Sequence, residues 1–239
     1  MSSIWDLANP QLRDLPVYEP GKPIEETARE LGAQANEIVK LASNENPLGP
    51  SPKALAAMRA ALDSGHRYPD GGGFYLRDAL AKKLGFTRDH LILGAGSNEI
   101  IEFLGHAFLD RGDEIVTSEH AFIVYKLVAA VFGARTIEVP SLDLRHDLDG
   151  IIAAITPKTR LIFIANPNNP TGTLAGQEEI DRFMERVPPE IVVVFDEAYF
   201  EYARAVDYPD TLELLAERER LVTLRTFSKI YGLAGLRVG

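Results

Sequence analysis

The sequence predicts an α/β fold built on a mainly parallel sheet. Short runs rich in β-branched and aliphatic residues recur at 91–93, 114–118, 135–139, 160–164, 191–195 and 220–225. Segments with helical apolar periodicity separate them at 97–109, 122–132, 147–155, 176–187 and 210–218. Strands alternating with helices of this length are the signature of a parallel sheet covered by its crossover helices. The chain of 239 residues, 46% hydrophobic and 25% charged, has enough apolar material to bury a core without staples.

The elements follow in order. Residues 1–50 read as an N-terminal arm and substrate-side segment lying across another surface. Pro10, Pro16, Pro20, Pro23, Pro47 and Pro50 interrupt any long helix there, and the periodic stretch Ile24–Leu31 is short. Residues 51–239 read as one large domain. Ser51-Pro52 starts a helix by the cap-then-proline rule, running to about Leu62, and Gly71-Gly72-Gly73 precedes a second at about 74–84. The strand–helix alternation then occupies the rest. No internal repeat or heptad array is visible in the sequence.

Composition narrows the function. With 25 basic and 35 acidic residues the formal charge is −10, a surface that repels phosphate backbones, so no nucleic-acid partner is expected. Cysteine is absent, which excludes disulfides, thiol catalysis and cysteine-ligated metal sites and suits a reducing cytoplasm. The N-terminus lacks a basic and apolar leader, and the longest apolar runs, at 127–132 and 191–195, fall far short of the roughly 20 residues of a membrane span. A soluble cytoplasmic enzyme with no membrane association is the expectation.

Ligands of such sheets bind beyond the carboxyl ends of the strands, so those positions carry the chemistry. Leu91-Ile92-Leu93 runs into Gly94-Ala95-Gly96-Ser97-Asn98 and a helix, an anion cradle of free amides and a hydroxyl. Its plainer reading is a tight turn with Ser97 as N-cap. Asn166-Pro167-Asn168-Asn169-Pro170-Thr171-Gly172 holds polar groups rigidly after an apolar strand, or is simply a surface turn. Asp196-Glu197-Ala198-Tyr199 follows another such strand. Its carboxylate suits a cation in a low-dielectric pocket, a metal, or a helix cap. Thr226-Phe227-Ser228-Lys229 follows the last, with Arg237 eight residues on. Lys229, set among apolar residues and glycines, has the surroundings of an amine nucleophile that forms a Schiff base. Thr226, Ser228 and Arg237 together suit a phosphate.

One cofactor needs all four segments: pyridoxal 5′-phosphate requires a lysine for its aldehyde, a carboxylate for its pyridine nitrogen and donors for its phosphate. The five histidines, His66, His90, His106, His120 and His146, have no metal-ligand spacing, and no metal is expected.

With these motifs in this order, the sequence resembles the fold-type I, class II pyridoxal-phosphate aminotransferases and, within them, the histidinol-phosphate aminotransferases. The narrower cues are Val17-Tyr18-Glu19-Pro20-Gly21-Lys22-Pro23, Leu41-Ala42-Ser43-Asn44-Glu45-Asn46-Pro47, His66-Arg67-Tyr68-Pro69-Asp70-Gly71 and Arg225-Thr226-Phe227-Ser228-Lys229. The resemblance implies a three-layer α/β/α large domain that binds the cofactor. Lys229 would carry it and then shuttle the proton. Asp196 would pair with the ring nitrogen, and Asn169 and Tyr199 would hydrogen-bond the ring oxygen. Phe122 would stack on the ring where relatives often place a tyrosine. Gly96, Ser97, Asn98, Thr226, Ser228 and Arg237 would surround the phosphate. Tyr18 and Asn44 would lie on the substrate side, and Tyr68 would reach the neighbouring active site of a homodimer.

The implied reaction passes the amino group of L-histidinol phosphate to 2-oxoglutarate, in histidine biosynthesis. An aromatic-amino-acid aminotransferase or an O-phosphothreonine decarboxylase would share every cofactor residue, and a pyridoxal-phosphate-binding module without turnover would keep them too. The sequence ends at Arg237-Val238-Gly239. Family members continue into a last strand and a small C-terminal domain bearing a substrate-binding arginine, so the large domain is expected to be incomplete at that end and this stretch alone to turn over little.

Overall fold

A computed structural model describes residues 4–13, 15, 17 and 21–239, apart from the side chain of Trp5. Five of the six β-rich runs form strands: β1 (Glu114–Ser118), β2 (Arg135–Val139), β3 (Thr159–Ala165), β4 (Val192–Asp196) and β5 (Leu221–Leu224). They make one sheet in the order β2-β1-β3-β4-β5, and every neighbouring pair is parallel. The chain goes from β1 outward to β2, then crosses back past β1 to lay down β3. The order therefore reverses between β1 and β3, the kind of position where open α/β sheets leave a crevice.

Helices α1 (Ile24–Leu31), α2 (Pro52–Ala61), α3 (Phe74–Leu84), α4 (Ser97–Phe108), α5 (Val124–Val131), α6 (Leu148–Ala153), α7 (Gln177–Arg186) and α8 (Thr211–Glu217) complete the regular structure. The Ser51 side chain accepts the Ala54 amide and caps α2 with Pro52 at its first position, as the sequence signals. None of the helices among the described residues is long and apolar enough to cross a membrane.

The strands read as continuous apolar runs because both faces are covered. Side chains alternate across the sheet. Leu161, Phe163, Val192, Val194 and Leu224 pack with Ile101 and Leu104 of α4 and with Tyr125 and Ala129 of α5. Ile162, Ile164, Val193 and Phe195 pack on the other side with Ile151 of α6 and Ile180, Phe183 and Met184 of α7. The result is three layers, α/β/α, with a core on each face.

The sixth expected strand, 91–93, does not form. Ile92 is exposed, and no described strand runs alongside it. An apolar triplet becomes a strand only where a ladder partner exists. Here the chain instead meets Gly239 at Gly94, the two exchanging hydrogen bonds of 3.0 and 3.1 Å. The N-terminal segment touches the domain at specific points. The Gln11 carboxamide bonds Arg111 and the Val131 carbonyl, and the Asn46 amide nitrogen donates to the Ile230 carbonyl at 2.8 Å.

At the opposite edge from the strand carboxyl ends, Glu114 ties three strands together. It is buried, accepts the Thr156 hydroxyl at 2.6 Å just before β3, and accepts Arg135 of β2 at 2.9 Å. Those contacts, Thr156 first, hold its carboxyl below the ordinary value of 4.5. Its contribution to stability is therefore full above that value and is lost as pH falls through the lower folded one. Glu114→Gln is expected to lower stability by about 1–3 kcal/mol at neutral pH. In urea denaturation at a series of pH values, the deficit should narrow in acid.

Candidate functional site

The carboxyl ends of β1, β3, β4 and β5 open into one cleft of about 190 Å³, roughly ten times the space one water needs. Asn44, Ser97, Asn98, Phe122, Asn169, Asp196, Tyr199, Thr226, Ser228, Lys229 and Arg237 all line it. These residues span nearly two hundred positions in sequence, and the sheet order brings them together. Phe122 follows β1, Asn169 follows β3, Asp196 ends β4, and the Thr226 to Lys229 loop follows β5.

Asp196 lies at the floor, 5% exposed. The strand must end there with its side chain on the α4/α5 face, because Val194 points the same way and Phe195 the other. Burial raises its carboxyl above the ordinary range. The Tyr125 hydroxyl, donating to Oδ2 at 2.7 Å, opposes that shift, as do the Ala198 amide at 3.2 Å and the charge of Lys229. Tyr125 is itself fully buried, sandwiched against Phe163 at 4.6 Å and edge-on to Phe122 at 5.7 Å. Burial, and then the Asp196 carboxylate, push its phenol well above 10. Nothing in the sequence separates Tyr125 from an ordinary core position on α5; only the fold shows that its hydroxyl meets a carboxylate 71 residues away.

Lys229 Nζ stands 5.4 Å from the centre of the Tyr199 ring and 3.4 Å from the carbonyls of Ser43 and Asn44. The Asn44 side chain donates to the Tyr199 hydroxyl at 2.9 Å, so the N-terminal segment forms one wall of the cleft. Ser43 and Glu45 also line that wall, though neither stands out in the sequence as a site residue.

Across the cleft, Arg237 gathers a cationic, hydroxyl-rich corner. Its guanidinium bonds the Ser228 hydroxyl at 3.4 Å and the carbonyls of Ala95 and Ala234 at 3.0 Å. The Thr226 hydroxyl donates to that of Ser228 at 3.0 Å. Facing them is the start of α4, whose first amides have no intrahelical acceptor. Gly96, not Ser97, occupies the N-cap, with φ +78° and ψ 174°. Ser97, the first helical residue, faces the cleft, so the simple capping reading of its hydroxyl is corrected. A Cβ at Gly96 would lie 2.5 Å from the Arg237 Nη2, so glycine leaves the space the guanidinium occupies.

One expected residue, Tyr68, is fully exposed and does not line the cleft of this chain. Tyr18 lies outside the described residues. His120, given no role from sequence, supplies a backbone carbonyl to the Asn168 side chain at 2.8 Å. His146 is half-buried, bonding Ser118 at 2.6 Å and the Ala165 carbonyl at 2.8 Å between two site loops. Among the described residues no group of three or more histidine, aspartate or glutamate side chains could hold a metal ion.

The site thus offers a buried carboxylate, a primary amine and a cationic corner with hydroxyl and amide donors. Two substitutions test this construction. Tyr125→Phe removes a donor from a buried carboxylate and is expected to cost about 1–3 kcal/mol. Because the lost bond favours the charged carboxylate, denaturation should show the deficit shrinking as pH is lowered and Asp196 protonates. Gly96→Ala is expected to cost about 1–3 kcal/mol from its backbone conformation alone. It should also displace Arg237, read as weaker binding of inorganic phosphate by calorimetry.

Comparison with known proteins shows the family. Residues 36–239 match the aminotransferase class I and II family. The histidinol-phosphate aminotransferase of Akkermansia muciniphila is 53% identical over 238 residues, covering 99% of this chain and 65% of that protein. The crystal structure of histidinol-phosphate aminotransferase from Sinorhizobium meliloti, in complex with pyridoxal-5′-phosphate, superposes with a TM-score of 0.86 at 32% identity, covering 97% of this chain and 61% of that one. An aspartate aminotransferase from Thermus thermophilus shares the fold at 23% identity and a TM-score of 0.81. The chain spans less than two thirds of the length of these relatives. It belongs to the class I and II aminotransferases.

Proposed function

We propose that this chain carries the cofactor-binding part of an aminotransferase that uses pyridoxal 5′-phosphate to pass the amino group of L-histidinol phosphate to 2-oxoglutarate, giving imidazole acetol phosphate and glutamate. The observation that carries the cofactor reading is the convergence of Asp196, Lys229 and the Arg237 corner on one cleft. Supporting it is the close approach of the Arg237 guanidinium to Gly96, where a Cβ would displace the cation from the cleft corner. The relatives' names support the choice of substrate. In this reading residues 51–239 are the cofactor-binding domain and residues 1–50 the arm and substrate wall.

The bound cofactor would supply an electron sink for the carbon that loses its proton. The protein's part is binding, orientation and proton movement. Asp196, whose charged form Tyr125 and Ala198 favour against the upward pull of burial, would hold a proton on the ring nitrogen and stabilise the charge that develops there. Lys229 Nζ would anchor the cofactor and then carry the proton from the substrate carbon. Asn169 and the Tyr199 hydroxyl would fix the ring oxygen, with Phe122 against the ring face. Ser97, Asn98, Thr226, Ser228 and Arg237 would hold the phosphate through charge-assisted hydrogen bonds. Asn44 and Tyr18 would bound the substrate side. The working unit is a cytoplasmic homodimer in which Tyr68, fully exposed on the single chain, reaches the neighbouring phosphate site.

Titration of the full 239-residue chain with pyridoxal 5′-phosphate tests the reading. A visible absorption band is expected, with borohydride fixing the cofactor to Lys229 by mass spectrometry and Lys229→Ala showing neither. Binding without a Lys229 adduct, or no binding by a chain that circular dichroism shows to be folded, would sink it. Substrate choice is read on the whole protein, as glutamate formed from 2-oxoglutarate with histidinol phosphate against phenylalanine.

A further inference from the structure

On the far side of the sheet from the cleft lies a second buried ionic cluster that this chemistry does not use. Glu197 directly follows Asp196, and Arg225 directly precedes Thr226. Alternation places Asp196 and Thr226 toward the cleft and sends Glu197 and Arg225 to the other face. The Glu197 side chain is 1% exposed. Its Oε2 accepts both Nε and Nη2 of Arg225 at 2.9 Å, and its Oε1 accepts the hydroxyl of Thr211, at the start of α8, at 2.6 Å. Thr211 in turn accepts the Thr223 hydroxyl of β5 at 3.3 Å. The Arg225 guanidinium lies 3.8 Å from the centre of the Phe200 ring. Nearby, the Tyr208 hydroxyl donates at 2.5 Å to the carbonyl of Asn166, at the root of the Asn/Pro loop.

Burial pushes the Glu197 carboxyl above its ordinary range, and Arg225 and Thr211 pull against that shift. With Glu197 buried and Arg225 half-buried, the pair gains little over apolar packing, because desolvation of the carboxylate offsets attraction. What it does contribute is geometry. The planar guanidinium is held on one side by the carboxylate and on another by the Phe200 ring, which leaves it one orientation.

We propose that Glu197 and Arg225 are a positioning pair that sets the ends of β4 and β5 relative to one another, and with them Asp196 and the loop from Thr226 to Lys229. Tyr208 extends the same support to the loop that bears Asn169. In its consequence for the cofactor, this rests on the reading above.

Arg225→Lys keeps the charge but loses the fork. Glu197→Gln keeps the shape but removes the charge and one of the two acceptor oxygens, and it serves if the first variant folds poorly. Hydrogen exchange on the cofactor-free chain is expected to rise about tenfold in segments 166–172, 196–202 and 225–229, while α4 and β1 stay as protected as in the wild type. With pyridoxal 5′-phosphate, affinity should fall by about tenfold or more, the scale on which small misplacements of binding groups act, and the pH midpoint of the visible band should move. Exchange that is unchanged or raised uniformly would overturn the proposal. So would local loosening with affinity and pH midpoint unaltered. If the segments loosen but the wild type binds no cofactor, the cofactor reading fails while the pair's structural action on the strand ends stands.

Discussion

A carboxylate that ends a strand buried on both faces is the constraint around which this structure is arranged. Asp196 cannot sit at the floor of the cleft without donors, since an ionised group removed from water and left unpaired is strongly disfavoured. The Tyr125 hydroxyl and the Ala198 amide meet part of that need, and Lys229 lies near enough to bias the same equilibrium. Supplying the hydroxyl commits α5 to pack with Tyr125 against Phe163, which in turn places Phe122 at the cleft wall. One buried charge therefore dictates the packing of a helix and the position of a neighbouring loop.

The two faces of the sheet divide the work. Toward α4 and α5 the strand ends present the polar groups of the cleft; toward α6, α7 and α8 they present packing and the Glu197–Arg225 pair. Strand alternation makes this division automatic, because a residue and its successor cannot share a face. In a chain of net charge −10, Lys229 and Arg237 line the same cleft as the carboxyl groups of Asp196 and Glu45. An anionic group would be drawn to the Arg237 corner, away from the Asp196 floor.

The N-terminal segment contributes through backbone as much as through side chains. Lys229 is met by the carbonyls of Ser43 and Asn44, and Gly232 approaches so close that a Cβ would lie 2.5 Å from the Gly49 backbone and 2.8 Å from the Pro50 nitrogen. Contacts of this kind depend on main-chain atoms that every residue carries, so sequence patterns register them poorly.

By itself the sequence determined the fold class, most element positions and many of the residues that line the cleft. Strand alternation and helix periodicity are local signals, and the strands at 114–118 and 135–139 stand where they predict. The site residues Asp196, Asn169 and Lys229 were legible because each sits just past an apolar run, where a parallel sheet gathers its functional ends. Tertiary structure alone decided the rest. The stretch 91–93 has strand composition yet forms no strand, since a ladder needs a neighbour that composition cannot reveal. Tyr125 and Arg225 look like a core aromatic and a surface base, and they acquire roles only because the strand order brings Asp196 and Glu197 within hydrogen-bond reach. Such partnerships are long-range and set by which strand lies beside which, a property of the whole sheet rather than of any segment of it.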